Sequence, residues 1–270
     1  QRVFTRLGFS FKKQVGNMLV EAPPRRRDIQ IEEDLIEEAA RLFGYENITA
    51  QFPRVSLVPG KRNDELFWQE EMRDNLVAGG FIEAELYEFT GERELSQFYL
   101  SHSSLVELQN PMNADERYLV PRLLIKYVVS AKENLSYADS IKMFGMGKSF
   151  IANGKTVFER NDLILVLARK GTKGEDEFYE LKGAVDDLLE SLGIEEYGYD
   201  DMIAHDGNSG VAMFHPHRVA EIKVEGKSVG MIGEIHPEIL EQMKSKARIV
   251  AVELFVDEIG KLAEREQEYR

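Results

Sequence analysis

The sequence predicts an α+β fold, in which an antiparallel sheet flanked by helices follows a small helix–hairpin–helix module. Short alternating apolar segments recur through residues 83–255, and few stretches have helical spacing. Glycine-bounded turns such as Glu225-Gly226-Lys227 join neighbouring segments as hairpins. Strands joined by hairpins indicate an antiparallel sheet, not a doubly wound parallel one, and we expect a few helices to pack on one side of it.

Residues 1–50 predict a module of the winged-helix kind that is incomplete at its N-terminus. A helix ends at Gly8, and strands at residues 9–12 and 18–21 flank the turn signal Gly16-Asn17. Apolar residues at helical spacing predict a second helix, which ends at Gly44; these residues are Ile31, Leu35, Ala39 and Leu42. Both chain ends are expected to continue into a longer polypeptide.

Residues 51–63 contain Pro53, Pro59 and Gly60 and predict a linker, after which residues 64–262 form the core domain. Residues 263–270 are a charged terminal stretch. Asn63 or Asp64 can cap a helix over residues 64–78, which Gly79-Gly80 ends. The remaining predicted helices cover residues 123–134, 177–192 and 237–243. The predicted strands cover residues 83–89, 106–109, 141–145, 162–168, 211–214, 219–224, 228–234 and 249–255.

Composition excludes several classes of protein. The chain has no Cys, so disulfide frameworks, thiolate zinc sites and a Cys nucleophile are all excluded. The chain has 34 Lys and Arg against 48 Asp and Glu, and the resulting net charge of −14 disfavours binding of RNA or DNA over a broad surface. No apolar run approaches the length of a membrane span. A cytoplasmic setting without membrane or DNA partners is expected.

Four acidic residues lie near the start of the second helix. Asp34, Glu37 and Glu38 share one helical face, and Asp28 in the preceding turn can fold over it. A hard divalent cation would relieve their mutual repulsion. Solvated acids that complement the helix dipole are the alternative, and composition and spacing leave both open.

A series of motifs then resembles phenylalanyl-tRNA synthetase beta subunits, in the order found in that family and over about residues 7–259. Near the N-terminus these are Arg27-Asp28-Ile29, Asp34-Leu35-Ile36-Glu37-Glu38-Ala39-Ala40-Arg41 and Gly44-Tyr45-Glu46-Asn47-Ile48. Further on they are Leu108-Gln109-Asn110-Pro111-Met112, Phe178-Tyr179-Glu180-Leu181-Lys182-Gly183, Phe214-His215-Pro216-His217-Arg218, Gly230-Met231-Ile232-Gly233-Glu234-Ile235-His236-Pro237 and Val252-Glu253-Leu254. Each motif alone is weak, whereas the ordered set is specific.

The resemblance implies a class II aminoacyl-tRNA-synthetase-like core that has lost its chemistry. It implies that the enzyme is a complex, an alpha2-beta2 heterotetramer. In that complex an alpha subunit joins phenylalanine to tRNA(Phe) with ATP, and this chain scaffolds the alpha subunit. ATP would be used by the complex and not bound here. In the family, the acids at the positions of Asp28, Asp34, Glu37 and Glu38 are Mg²⁺ ligands. The first class II motif, which builds subunit contacts, corresponds to the helix at residues 64–78.

Two departures from the family pattern argue against independent catalysis, so we expect no catalytic and no cofactor-binding residue in this chain. The usual Leu-Arg-Pro-Ser-Leu-Leu-Pro-Gly becomes Leu119-Val120-Pro121-Arg122-Leu123-Leu124-Ile125-Lys126. The usual Phe-Glu-Ile-Gly becomes Phe144-Gly145-Met146-Gly147 and loses its acid. A nucleotide site needs a positioned cation and acid, and neither change supplies one.

Alternative functions stay open at this point. A stand-alone regulatory or nucleic-acid-binding module could use the basic spot Arg25-Arg26-Arg27, although the overall acidity opposes it. A metal-dependent hydrolase could use the acidic cluster, but no base accompanies it. His215, His217 and His236 could suggest a metal site, yet Pro216 is expected to interrupt the strand there.

Overall fold

The computed structural model describes residues 2–53, 58, 60–154, 156–171, 175–202 and 211–263. Pro59, His205 and residues 264–270, which entered the sequence predictions, lie outside that range. The chain divides into two compact units, Gln1–Gly60 and Lys61–Arg270. No helix among the described residues combines the length and the apolar character needed to cross a lipid bilayer.

The first unit is a helix, a hairpin and a second helix, as the sequence predicts. Its elements are α1 (Arg2–Leu7), β1 (Ser10–Lys13), β2 (Met18–Glu21) and α2 (Glu32–Phe43). The hairpin turns at Gly16, whose φ of 80° lies in the left-handed region that favours glycine. Phe4 and Phe9 are buried against each other with ring centroids 5.8 Å apart.

The second unit contains most of the chain's regular structure. Its elements are α3 (Asp64–Ala78), β3 (Ile82–Glu83), β4 (Phe89–Thr90), α4 (Glu92–Gln97), β5 (Val106–Glu107), β6 (Tyr118–Leu119), α5 (Leu124–Asn134), β7 (Ser140–Asn153), β8 (Thr156–Arg169), α6 (Glu175–Ser191), β9 (Tyr197–Asp201), β10 (Phe214–Val224), β11 (Lys227–Ile235), α7 (Pro237–Gln242), β12 (Arg248–Phe255) and α8 (Val256–Leu262). The sequence did not predict α4, β6, β9 or α8. It also predicted only residues 141–145 of β7 and 162–168 of β8, because polar residues and glycines interrupt the apolar pattern in the rest of these strands.

The main sheet has seven strands in the order β3-β7-β8-β12-β11-β10-β9. Every pair is antiparallel except β3 with β7, which are parallel at one edge. The prediction of an antiparallel sheet is therefore correct for its body and wrong for that two-residue edge strand. Strands β4, β6 and β5 form a separate small sheet.

Helices cover both faces of the main sheet, so the prediction that they pack on one side is wrong. On β8, Ile164 and Val166 face a core shared with α5 and α7. The alternate residues Leu163 and Leu165 face a second core shared with α3, α6 and α8. A strand buried on both faces is apolar throughout, and such a run does not reveal from sequence alone that both sides are covered.

Strand β10 continues through Pro216, where the sequence predicts two separate strands. Phe214 pairs with Ile235 and Val219 with Gly233, so four residues between them face one on β11. This bulge takes Pro216 out of the regular ladder, and its missing N–H therefore leaves no ladder bond unmade. Residues 211–213 form a turn and not the predicted start of a strand.

Candidate functional site

Two of the predicted magnesium ligands are bound by one arginine. The Arg26 guanidinium donates from Nη2 to Asp28 at 2.6 Å and to Glu38 at 2.7 Å. Arg41 adds a second contact to Glu38, at 2.5 Å. These hydrogen bonds hold the pKa of both carboxyls below their usual range. Glu38 is buried and Asp28 is exposed, so a single cation neutralises one inner and one outer carboxylate.

The other two predicted ligands have different surroundings. Asp34 accepts hydrogen bonds from the backbone N–H of Gln30 at 2.7 Å and of Ile31 at 3.0 Å, which lowers its pKa. It thereby holds the turn that leads into α2. Glu37 is exposed on the same helix. Within the described ranges, no three Asp, Glu, His or Cys side chains lie together as one metal ion would require.

The basic spot proposed for nucleic-acid binding is largely occupied by contacts within the first unit. Arg26 binds the two carboxylates described above, and Arg25 donates to the backbone carbonyl of Leu7 at 3.2 Å. Phosphate binding at Arg26 would have to displace both carboxylates. The geometry does not favour the nucleic-acid-binding alternative.

The second unit contains a buried charge cluster, which we define as Arg122, Ser149, Arg160, Asp162 and Glu253. Arg122 donates from Nε to Glu253 at 3.2 Å and closes a second, shorter contact through Nη2. Arg160 donates to Asp162 at 2.5 Å and 3.1 Å and lies 3.5 Å from Glu253. Two cations and two carboxylates are thus interleaved on the α5 face of β8 and β12.

Asp162 is the least favourably placed charge in this cluster. Burial, and after it the Glu253 carboxylate, raise the pKa of Asp162 to about 6, against the contacts from Arg160 and Ser149. The Ser149 hydroxyl donates to Asp162 and accepts from the backbone N–H of Leu123 at 3.0 Å. Desolvation therefore outweighs two favourable partners.

A cavity of about 290 Å³ opens beside the cluster. Arg122, Arg160 and Glu253 form its charged wall, and the apolar part includes Ile151 and Phe255. The Arg160 guanidinium lies over the Phe255 ring at 4.1 Å. Arg122 and Arg160 are both positioned at this cavity, and each is paired with an acid.

The glycine that replaces the family's acid has a structural explanation. A Cβ at Gly145 would lie 2.6 Å from the Tyr127 Cζ and still closer to the hydroxyl oxygen. Tyr127 is buried and donates to the Ala84 carbonyl at 2.6 Å. Position 145 therefore has no room for a side chain in this fold.

The sequence does not reveal the buried charge cluster, because Arg122, Asp162 and Glu253 lie far apart along the chain. A signal was present: Glu253 interrupts the apolar strand that surrounds it, and Asp162 opens another apolar run. An acid inside a strand of this kind has to be buried with a cation. The pairing with Arg122, 131 positions away, is visible only in the fold.

The histidines do not assemble a metal site among the described residues. The rings of His215 and His217 are 6.2 Å apart, and burial lowers the pKa of His215. The His236 ring accepts from the Glu238 N–H at 3.3 Å and caps α7. His102 pairs with Glu92 at 2.5 Å.

The helix α3 divides its apolar positions between the core and the surface. Met72 and Leu76 are buried in the unit's own core, whereas Leu66 and Val77 are 54% and 55% exposed. The helix therefore packs one set of apolar side chains into the core and leaves another set at the surface.

Residues 48–256 match the family model described as the phenylalanyl tRNA synthetase beta chain CLM domain. The chain belongs to the phenylalanyl-tRNA synthetase beta-chain family. Residues 1–45 match a second model, the tRNA synthetase B5 domain.

Curated relatives of this synthetase family agree with the assignment. Phenylalanine–tRNA ligase beta subunits from Staphylococcus epidermidis and Staphylococcus aureus are 29% and 32% identical over 249 residues, 87% of this chain. The subunit from Listeria innocua is 30% identical over 250 residues, 88% of the chain. The chain spans 30% of the length of each of these relatives.

The fold comparison supports the class II synthetase prediction. A pyrrolysyl-tRNA synthetase from Desulfitobacterium hafniense matches with a TM-score of 0.58 at 16% identity, over 76% of this chain and 71% of that one. The family assignment and the α+β, class II-like fold predicted from sequence are both confirmed.

Proposed function

We propose that this chain is part of a phenylalanine–tRNA ligase beta subunit and scaffolds an alpha subunit that joins phenylalanine to tRNA(Phe) with ATP. The observation that carries the proposal is the beta-chain match over residues 48–256. An alpha2-beta2 assembly in the cytoplasm is the form we infer, and tRNA(Phe) would be met through the complex. The stand-alone regulatory module is the less favoured alternative, because Arg26 is already bound by acids.

We propose that the chain contributes shape and not chemistry. Each arginine of the buried charge cluster is neutralised by an internal carboxylate, which opposes capture of a polyphosphate. Gly145 leaves no space for the acid that the family motif usually carries. An ATP site needs positioned charges that are available to phosphates and metal.

The exposed apolar side chains of α3 are the proposed contact with the alpha subunit. Leu66 and Val77 lie eleven residues apart, which brings them to the same side of the helix. Ile82, 71% exposed, follows on the adjoining edge strand. Apolar side chains this exposed are typical of an interface.

Size-exclusion chromatography with the alpha subunit tests this contact. The wild-type chain should co-elute, and Leu66→Asp with Val77→Asp should not, since two charges would be buried unpaired. Tyr137→Asp is the control, because it places the same charge at another exposed position, away from α3. Co-elution of the double variant would disprove this surface, and failure of the wild type would disprove the scaffold.

We also propose Mg²⁺ binding by Asp28, Asp34, Glu37 and Glu38. Carboxylate oxygens suit this ion, and two or three direct ligands completed by water would suffice. Because Arg26 neutralises Asp28 and Glu38, a cation has to compete with that guanidinium. Of the four, Glu37 is the one whose replacement disturbs neither the Arg26 contacts nor the turn before α2.

A thermal-shift titration with MgCl₂ tests the site. We expect a metal-dependent rise in melting temperature that is lost in Asp34→Ala with Glu37→Ala and reduced in Glu37→Gln alone. Glu33→Gln, exposed on the same helix, is the matched control for loss of charge. An unchanged metal response in the double variant would end the proposal.

A further inference from the structure

The cavity beside the buried charge cluster is lined by both of the cluster's arginines and by one of its two carboxylates. Arg122, Arg160 and Glu253 line it, whereas Asp162 does not. Among the described lining residues two guanidiniums meet one carboxylate, and Asp162, which accepts from Arg160, is not part of the lining. Since the whole chain carries a net charge of −14, this positive wall is a local feature.

We propose that this cavity binds a small organic anion with one negative charge and an apolar body. The inference is independent of the proposed scaffold function. The side chain of Arg160 is 24% exposed, so it is the member of the cluster that can meet a ligand with limited loss of its internal contacts. The hydroxyls of Ser101, Ser103 and Ser104 line the same cavity and add donors.

The apolar part of the lining determines what accompanies the charge. Phe255 lies beneath the Arg160 guanidinium, and Ile151 and Met231 also face the cavity. A fully hydrated inorganic anion would leave this surface uncovered, whereas an aromatic or aliphatic group would bury it. The volume of about 290 Å³ lies at the lower end for ligand pockets, which restricts the ligand to a small molecule.

Binding should be linked to a proton on Asp162. The charged groups that face Asp162 are Arg160 on its own strand and Glu253 on β12, and Ser149 on β7 donates to it. Its pKa of about 6 means that the carboxyl is mostly neutral below that pH, which leaves the cluster with a net positive charge. A bound anion favours this protonated form, so affinity should increase as the pH falls through the pKa.

The test uses benzenesulfonate, whose charge does not titrate near neutral pH, and benzenesulfonamide as its neutral counterpart. Titrations of the 270-residue chain are followed by calorimetry and by amide chemical shifts of Ser103 and Ser104. We expect saturable binding of the sulfonate only, about tenfold or more tighter at about pH 5 than at about pH 8. Saturable binding of the sulfonamide would overturn the proposal, and so would binding of inorganic sulfate as tightly as the sulfonate. Absence of binding by every probe at both pH values would overturn it as well.

Variants locate the site. Arg160→Gln should weaken sulfonate binding by about tenfold or more, since a charge-assisted contact is lost. Ile151→Phe should also weaken it, by filling the cavity without changing a charge. At about pH 8, Asp162→Asn should bind the sulfonate with the affinity that the wild type has at about pH 5, because the Asn side chain is neutral at every pH.

The exposed Arg117→Gln is the matched control, since Arg117 pairs with Glu107 and does not line the cavity. Unchanged affinity in both Arg160→Gln and Ile151→Phe, with the protein folded, would place the ligand elsewhere and refute the inference.

Discussion

Gly145 offers a direct test of the packing on the α5 face of the sheet. Gly145→Ala adds one methyl group, which would lie 2.6 Å from Cζ of Tyr127. Carbon atoms are not found at that separation, and the methyl would lie still closer to the backbone carbonyl oxygen of Ala84, so both the ring and this backbone have to shift. The ring is enclosed by the core of α5 and cannot rotate into solvent.

The cost of the substitution has two parts. Overpacking of a well-filled core costs about 1–3 kcal/mol. Moving the ring also breaks the hydrogen bond from Tyr127 to the Ala84 carbonyl, and leaving those groups unpaired costs about 1–3 kcal/mol. Burial raises the pKa of Tyr127 above its ordinary range, so the hydroxyl is a donor at neutral pH. We expect a total loss of about 2–6 kcal/mol.

Urea unfolding followed by tryptophan fluorescence measures this loss of stability in the second structural unit, which contains Gly145. The chain has a single Trp, and Trp68 is buried on α3 in the second unit, so its signal reports that unit's transition. Gly183→Ala is the control, because Gly183 lies within α6 with open space around its Cβ position. It should stabilise the helix by about 0.5–1 kcal/mol. A loss below about 0.5 kcal/mol for Gly145→Ala would refute the steric explanation.

Three further outcomes follow from the same structure. Glu253→Gln should cost about 3–5 kcal/mol in urea unfolding, because the buried ion pair between Arg122 and Glu253 is lost, and Arg122→Met in the same chain should recover part of that cost. Asp162 has a folded-state pKa of about 6 against 3.8, so the folded state holds its proton more tightly. The free energy of unfolding of the wild type should therefore fall relative to that of Asp162→Asn as the pH rises from about 4 to about 6. A difference between the two proteins that does not change with pH would contradict the raised pKa of Asp162. Asn63→Ala should cost about 1 kcal/mol, since its side chain accepts from two backbone N–H groups at the start of α3, and an unchanged urea midpoint would exclude that cap.

Part of this structure follows from local sequence patterns. The ends of α3 at Asp64 and Ala78 are as predicted, because a capping Asn precedes the helix and paired glycines follow it. The hairpin at Gly16 and the strand β12 are likewise local in origin. Family membership follows from the order of motifs along the chain, which needs no coordinates.

Contacts between distant residues decided the rest. The sequence could not predict that β8 is covered on both faces, because a continuous apolar run is compatible with one covered face or two. It placed four carboxylates together near α2, whereas the fold puts Arg26 between Asp28 and Glu38. The pairing of Arg122 with Glu253 depends on sheet topology and not on spacing along the chain.

The sequence by itself thus determined the family, the α+β class and the helix and hairpin signals, because these depend on residue type, periodicity and motif order. Only the tertiary structure decided which charges neutralise one another and why position 145 cannot hold an acid. A buried charge or a filled space depends on groups brought together across the sheet. Those neighbours are distant along the chain and cannot be predicted from the local sequence.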